Sequence, residues 1–379
     1  MKNIIKGLII FFAILLVGLI GLMTYALVKG SDELPLLGNS FYGWTEAELI
    51  NTQNVEVDDI SSIDISNSSR DIIFKRGDSD HMVIREYSSK SKDKSFVSIS
   101  QSSNILKLKS DKNSGRSWFV LRSNYQYYEV YLPTSYQGSM NIKTSSGDIY
   151  SETDLILSDY SLSSSSGYVD LQSLTAEKIN IATSSGDIDA QYLEGETELS
   201  CQSGYVEVGE IKGDIKITTS SGDVNTGRVD GTVNIKTSSG YADVEEGSDT
   251  KIETSSGDIT ISNVNGRLDI KSSSGYVEAE NITGGGSVYT TSGDINLEFA
   301  ELTEDLQIDA SSGYVYCDIP KEANFQLQVD TSSGDINTDF DETLSYNKKG
   351  NHVSGLIGSA ADSNINISTT SGDVSLSYR

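Results

Sequence analysis

A Ser-Gly pair recurs along this chain, and the residue after the glycine alternates between two chemistries. Asp148, Asp187, Asp223, Asp258, Asp294 and Asp335 form one class, and Tyr168, Tyr205, Tyr241, Tyr276 and Tyr314 form the other. Together they are the candidate contact surface. Evenly repeated carboxylates could serve hydrolysis or cation binding. Glycoside cleavage needs two carboxyl groups in one cleft, at a fixed separation and in different environments. Here every copy is alike, so no catalytic residue and no enzyme is expected. Calcium-binding solenoids are acidic repeats too, but Ser-Ser-Gly-Asp lacks their glycine-rich nonapeptide pattern. Solvated turn aspartates are the simpler reading, and neither metal nor cofactor is expected. The tyrosines leave two readings open. They are either a cross-strand ladder covering neighbouring strands, or a row of faces that stack on sugars or on a partner strand.

Other reactive residues are few. His81 and His352 stand alone, without a second imidazole or a cysteine at zinc-ligand spacing. The repeated serines have no neighbouring base, and no nucleophile elbow or phosphate loop is present. Cys201 replaces the Thr of other units, and Cys317 replaces an inward aliphatic residue. Their units are about six rungs apart, near 29 Å at strand spacing, whereas a disulfide spans at most about 7 Å. Two buried free thiols are expected.

What positions these residues is an internal repeat. The turn glycines are Gly147, Gly167, Gly186, Gly204, Gly222, Gly240, Gly257, Gly275, Gly293, Gly313, Gly334 and Gly372, with most intervals of 17 to 21 residues. The long last interval holds a worn copy, Ser354-Gly355-Leu356-Ile357, which makes about thirteen units. Five residues before each glycine stands an aliphatic residue, from Ile142 and Leu162 to Val329 and Ile367. Two residues after it stands another, from Ile149 and Val169 to Ile336 and Val374, and the fourth is often apolar, as in Leu171 and Val208. A second glycine turn follows nine residues later at Gly195, Gly213, Gly231, Gly266 and Gly284.

Period-two alternation on both sides of a turn means two short strands per unit. One unit cannot bury its apolar edge; stacked units can, each hydrogen-bonded to the next at about 4.8 Å. The expected fold class is therefore all-β, a β-solenoid (β-helix) of about thirteen rungs of ~18 residues. A sandwich of hairpins ranks second, since it leaves the regular unit length unexplained. With one unit per rung, an all-Asp column would set carboxylates about 4.8 Å apart, at roughly 3–4 kcal/mol per pair for an effective dielectric near 20. Interleaved tyrosines double that spacing and are expected to donate hydrogen bonds to the carboxylates. Two units per turn would restore the like-charge column and require cations.

Ahead of the repeat lies an uncharged run, Gly7 to Val28, of 22 residues. That matches a helix crossing roughly 30 Å of hydrocarbon. Lys2 and Lys6 precede it, and Asp32 and Glu33 closely follow Lys29. The positive-inside bias puts the N-terminus in the cytoplasm. A cleaved signal peptide would have an apolar core of about 7–15 residues and a small-residue cut site. The expected organisation is a cytoplasmic stretch at 1–6, a transmembrane signal-anchor helix at 7–28 and a juxtamembrane linker at 29–54. An N-terminal β cap, with Trp118 and Phe119, occupies 55–140 and an acidic repeat domain occupies 141–379. The cap would hide the terminal strand edge.

The net charge of −27 sits on the distal part: residues 141–379 carry 13 Lys and Arg against 40 Asp and Glu, residues 51–140 carry 12 against 11. Such a surface repels nucleic acid and favours cationic partners.

The segment YEVYLPTSYQGSMNIKTSSGDIY (128–150), leading into TSSGDI and SSSGYV, resembles the bacterial "putative adhesin" β-strand-repeat domain of unknown function, carried by LiaG-like cell-envelope proteins. The resemblance covers about residues 55–379. It implies a surface-exposed protein of envelope stress or adhesion, with no catalytic residues to carry over. The function expected is a membrane-anchored extracytoplasmic interaction scaffold. Its partners would be the membrane, through one span, and cell-wall polymer, a cationic peptide or another envelope protein. An acidic sink for divalent cations or cationic antimicrobial peptides is the alternative.

Overall fold

The computed structural model describes residues 47–90, 92–110, 125–340 and 344–379. The expected membrane helix at 7–28 lies outside them, as do the cytoplasmic stretch and Trp118 and Phe119. Among the described residues there are 29 β-strands and no helix long and apolar enough to cross a membrane. The architecture is all-β.

Consecutive units pair in parallel, one above the next. In the strand before each turn, Ile142, Leu162, Ile181, Leu199 and Ile217 stand in register, followed by Ile235, Ile252, Ile270, Val288 and Ile308. After the turn the column runs Ile149, Val169, Ile188, Val206, Val224, Ala242, Ile259, Val277, Ile295 and Val315. All of these side chains are buried. Period-two alternation turns one set of residues inward on every rung, so like stacks on like and each rung covers its neighbour's apolar edge. One unit forms one rung.

The turn glycines are there for space. A Cβ on any of the twelve would lie 1.8–2.4 Å from the carbonyl oxygen of the residue beneath it, another of the turn glycines in every case but Gly147, which meets Arg70. Only Gly275, Gly293 and Gly313 among them have positive φ, so permissive dihedrals, the usual reason for a turn glycine, are secondary. Beneath each turn runs a column of small buried residues, among them Thr144, Ser164, Thr183, Cys201, Thr219, Thr237 and Thr254. They tie the turn down from inside. The Gly167 amide donates to Ser164 Oγ at 2.9 Å, the Gly240 amide to Thr237 Oγ1 at 3.0 Å, and Thr219 Oγ1 donates to the Gly222 carbonyl at 2.8 Å. Cys201 keeps this role, its sulfur accepting from the Gly204 amide at 3.0 Å. Both cysteines are free and buried.

The stacking order departs from chain order at both ends. The last unit, Ser363–Ser371 with Val374–Tyr378, pairs with Ile295–Ser312 and Val315–Ile319 on one side. On the other it pairs with Phe325–Ser333 and Ile336–Thr338, so it sits between two units that precede it in sequence. At the other end, Ser62–Ser66 and Asp71–Gly77 form a rung lying between Ile105–Ser110 with Gln126–Pro133 and Ser139–Thr144 with Ile149–Ile156. Antiparallel strands close both outer rungs: Val97–Ser102 and Met82–Ser88 at one end, His352–Ile357 at the other.

Two expectations are thereby corrected. The worn copy at Ser354 to Ile357 is part of an antiparallel closing strand, because it pairs backwards along Phe325–Ser333. A rung that the sequence reading assigned to the aperiodic cap is Ser62–Gly77. Its Ile65, Asn67, Arg70, Asp71, Ile72 and Phe74 occupy the positions of Ile142, Thr144, Gly147, Asp148, Ile149 and Ser151. Arg in place of Gly hid it. Arg70 stands where other rungs have the turn glycine, and its guanidinium reaches Gln126 at 2.9 Å and Ser110 at 2.8 Å. The strand Glu48–Val55, which runs from the linker expected at 29–54 into the first residue of the expected cap, pairs with Met82–Ser88. Wholly buried Glu86 joins these pieces, accepting from Asn51, Gln53, Ser95 and the amides of Phe96 and Val97 at 2.6–3.0 Å.

Candidate contact face

The residue after each turn glycine precedes an inward aliphatic one and so faces solvent. The pairings align Asp148, Tyr168, Asp187, Tyr205, Asp223, Tyr241, Asp258, Tyr276, Asp294 and Tyr314 in one column along the stack. Beyond Tyr314 the order in space is Asp373, then Asp335. Asp71 precedes Asp148 at the other end.

The alternation has a hydrogen-bonding cause that the sequence reading missed. Each aspartate from Asp148 to Asp294 accepts from the backbone amide of the next residue in the column through Oδ1. Tyr168 donates to Asp148 at 2.8 Å, Tyr205 to Asp187 at 2.7 Å, Tyr241 to Asp223 at 2.9 Å, Tyr276 to Asp258 at 2.8 Å and Tyr314 to Asp294 at 2.8 Å. These bonds are charge-assisted. The expectation that the tyrosine hydroxyls serve these carboxylates is corrected. Tyr168 donates its hydroxyl to Asp189 at 3.0 Å and Tyr241 to Thr260 at 2.8 Å, both in the next outward column.

The tyrosine rings remain open to solvent: Tyr205, Tyr241 and Tyr276 are 37–40% exposed and Tyr314 is 62% exposed. Tyr168 is half-buried and meets Tyr150 edge-on, with ring centres 6.1 Å apart. The adjoining column, two residues further along each strand, holds Tyr150, Asp170, Asp189, Glu207, Asn225, Asp243, Thr260, Glu278, Asn296 and Tyr316. Neither column contains a lysine or arginine. Burial, then the charge of Asp189, pushes the Asp170 carboxyl above its ordinary range, and burial with Glu245 does the same to Asp243. The cations of the repeat stand mainly on the strands before the turn. There Lys216 pairs with Glu198 at 2.7 Å, Lys251 with Glu253 at 2.9 Å and Arg267 with Asp269 at 3.0 Å. Charge is therefore segregated by face.

Among the described residues no group of three or more His, Cys, Asp or Glu is placed to hold a metal ion. His352 is partnered, its Nδ1 lying 2.6 Å from Asp330 Oδ1. Cys317 lies in the core, and burial pushes its thiol far up.

A parallel stack of glycine-turn rungs with one acidic, tyrosine-bearing face defines the class as a β-strand-repeat protein. Two consecutive stretches, residues 60–246 and 243–377, match the family Toastrack DUF4097. The chain belongs to this family. No curated protein matches it. It is similar to a crystal structure from Clostridium sporogenes described as "a putative cell adhesion protein", at 10% identity over 87% of this chain and 98% of that one. The TM-score of 0.21 is too low to relate the two folds.

Proposed function

We propose that this protein is a membrane-tethered extracytoplasmic β-solenoid that works as an adhesin-like interaction scaffold of a cell envelope, and that it is not a catalyst. In this reading residues 7–28 anchor it and the stack carries the tyrosine face away from the bilayer. One observation carries the proposal: a column of exposed tyrosines, held in register by backbone pairing, in two adjoining columns that hold no lysine or arginine. Exposed aromatic residues in ordered array are more characteristic of interfaces than of free surface. The alternative of an acidic sink for divalent cations or cationic antimicrobial peptides draws on the same absence of cations. Against it, one oxygen of each column aspartate up to Asp294 already accepts an amide.

The test uses full-length protein in lipid vesicles, sedimented with isolated cell-wall material at low and high salt. Binding that persists in high salt and is lost when Tyr205, Tyr241, Tyr276 and Tyr314 are changed to Ala is expected. Binding indifferent to the tyrosines would overturn the proposal, and binding abolished by salt would favour the sink.

A further inference from the structure

The fold explains the aspartates of the outer column and leaves the tyrosines unexplained. An Asp is needed every second rung to take the amide above it. The residue donating that amide can be anything, as two sites demonstrate. Asp148 donates its amide to Asp71 at 2.9 Å, and Asp335 donates to Asp373 at 2.9 Å, so in both the donor is not an aromatic residue. Yet between these ends the donor is tyrosine at every one of Tyr168, Tyr205, Tyr241, Tyr276 and Tyr314. Four of the five keep more than a third of their surface exposed. Side chains that the stack does not require, placed at a constant interval, serve something with the same interval.

We infer that the tyrosine column is a graduated binding site for an extended, non-acidic β-1,4-linked glycan, taken up one disaccharide per two rungs. This rests on the interaction-scaffold reading and names the ligand of that same face. Two rungs measure about 9.6 Å. In a β-1,4-linked hexose chain each sugar is turned over relative to the last, so the same ring face recurs every second sugar, at close to that distance. Each tyrosine can then stack on an equivalent sugar face. The remaining oxygen of the intervening Asp187, Asp223, Asp258 and Asp294, with Glu207, Asp243 and Glu278 beside them, accepts from sugar hydroxyl, amide or amine groups. The absence of Lys and Arg from both columns excludes acidic glycans by charge. From Tyr168 to Tyr314 the column spans four double rungs, about 38 Å, so a chain of about eight to ten sugars fills it.

The experiment measures binding of full-length protein in lipid nanodiscs to three neutral or cationic ladders: chitin oligomers, their deacetylated counterparts and cello-oligosaccharides, with β-1,4-linked oligoglucuronate as the acidic control. For at least one of the three, affinity should climb in steps of two sugars and level off near eight to ten. Linked weak contacts that share one ligand produce that rise. Tyr241→Ala, in the middle of the column, should weaken the eight-sugar ligand about two- to tenfold and leave the Asp223 contact to its amide intact. Unchanged hydrogen-exchange protection of the Gly222 and Gly240 rungs would verify that the fold is kept. Affinity independent of length, or tighter for the oligoglucuronate, overturns the inference, as does binding confined to the deacetylated ladder and abolished by salt. Binding to whole wall material with none to any ladder removes the glycan and leaves the scaffold reading standing. Binding to neither removes both.

Discussion

Replacing Gly222 by alanine tests the close approach on which the stack depends. The added Cβ would sit 1.8 Å from the Gly204 carbonyl oxygen and 2.9 Å from its carbon. An ordinary carbon–oxygen contact is about 3.3 Å, so the rungs must part locally by about 1.5 Å. Both atoms in conflict are backbone or fixed to it, and no side-chain rotation relieves them. The nearest ladder bonds, Ser221 amide to Gln202 carbonyl at 3.1 Å and Val206 amide to Asp223 carbonyl at 3.0 Å, open with the separation. Two lost bonds at about 1 kcal/mol each, with an overpacking cost of about 1–3 kcal/mol, put the penalty at about 3–5 kcal/mol. Repeat arrays lose strict two-state behaviour, so rung-by-rung hydrogen exchange is the primary readout, with the thermal midpoint beside it. Protection should fall most at the Gly204 and Gly222 rungs. Ser221→Ala, at an exposed position in the same turn, should stay within about 0.5 kcal/mol of the parent. Gly350→Ala meets nothing within 4 Å but sits at φ +72°, and should cost about 1 kcal/mol through backbone strain alone. Gly222→Ala protein with parental exchange and midpoint would refute the packing argument outright.

Three further outcomes follow from the same contacts. Asp223→Ala removes the acceptor of the Tyr241 amide at 2.9 Å and should cost about 1–2 kcal/mol, whereas Asp223→Asn keeps an acceptor and should recover most of it; equal losses in a denaturation series would contradict the assignment. Glu86 is held below its ordinary carboxylate range by hydrogen bonds from Asn51 and from the Phe96 and Val97 amides, which outweigh its burial. Its contribution is complete above the unfolded carboxylate pKa and disappears as pH falls through the lower folded value. Asp170 and Asp243 are raised, so acid relieves their unfavourable charge first, as pH drops through their folded values. Exchange followed from pH 6 downward should thus show the strands that Glu86 joins, Glu48–Val55 and Met82–Ser88, losing protection while the rungs of Asp170 and Asp243 do not; the reverse order would be inconsistent with these shifts. Finally, Cys201 and Cys317 should resist a maleimide in the native protein and both react in denaturant. Cys201→Thr should be nearly silent, while Cys201→Val should cost about 1–2 kcal/mol by stranding the Gly204 amide.

Much of this arrangement is legible in the sequence because a parallel stack repeats one environment. Ile217 and Ile235 read as partners since each lies five residues before its glycine, and the structure pairs them. The outward Asp and Tyr column follows from the same counting. What escapes counting is any contact whose partner depends on three-dimensional order. Arg70 broke the glycine pattern and concealed a rung, although Ile65, Ile72 and Phe74 stood at the required offsets. The aspartate bonds to the tyrosine amides link side chain to backbone across 18 to 20 residues, and no residue type announces the donor. Glu86 gathers donors from Asn51 to Val97, and nothing in its own neighbourhood marks it as buried. The place of residues 363–379 between two earlier units is likewise invisible, because every unit has an edge that suits every other.

That interleaving puts two segments inside the stack that chain order would place at its edges. The segment 62–77 acquires both neighbours from residues that come after it, and 363–379 enters a slot whose two walls are already present in the chain. A growing polypeptide cannot complete the layer that holds 62–77 until residue 151 exists. Unravelling from the 363–379 side, in turn, has to draw out an inner layer against contacts on two sides. An order of assembly that simply counted from first to last would therefore leave both extremities unfinished, and the closing strands with nothing to close.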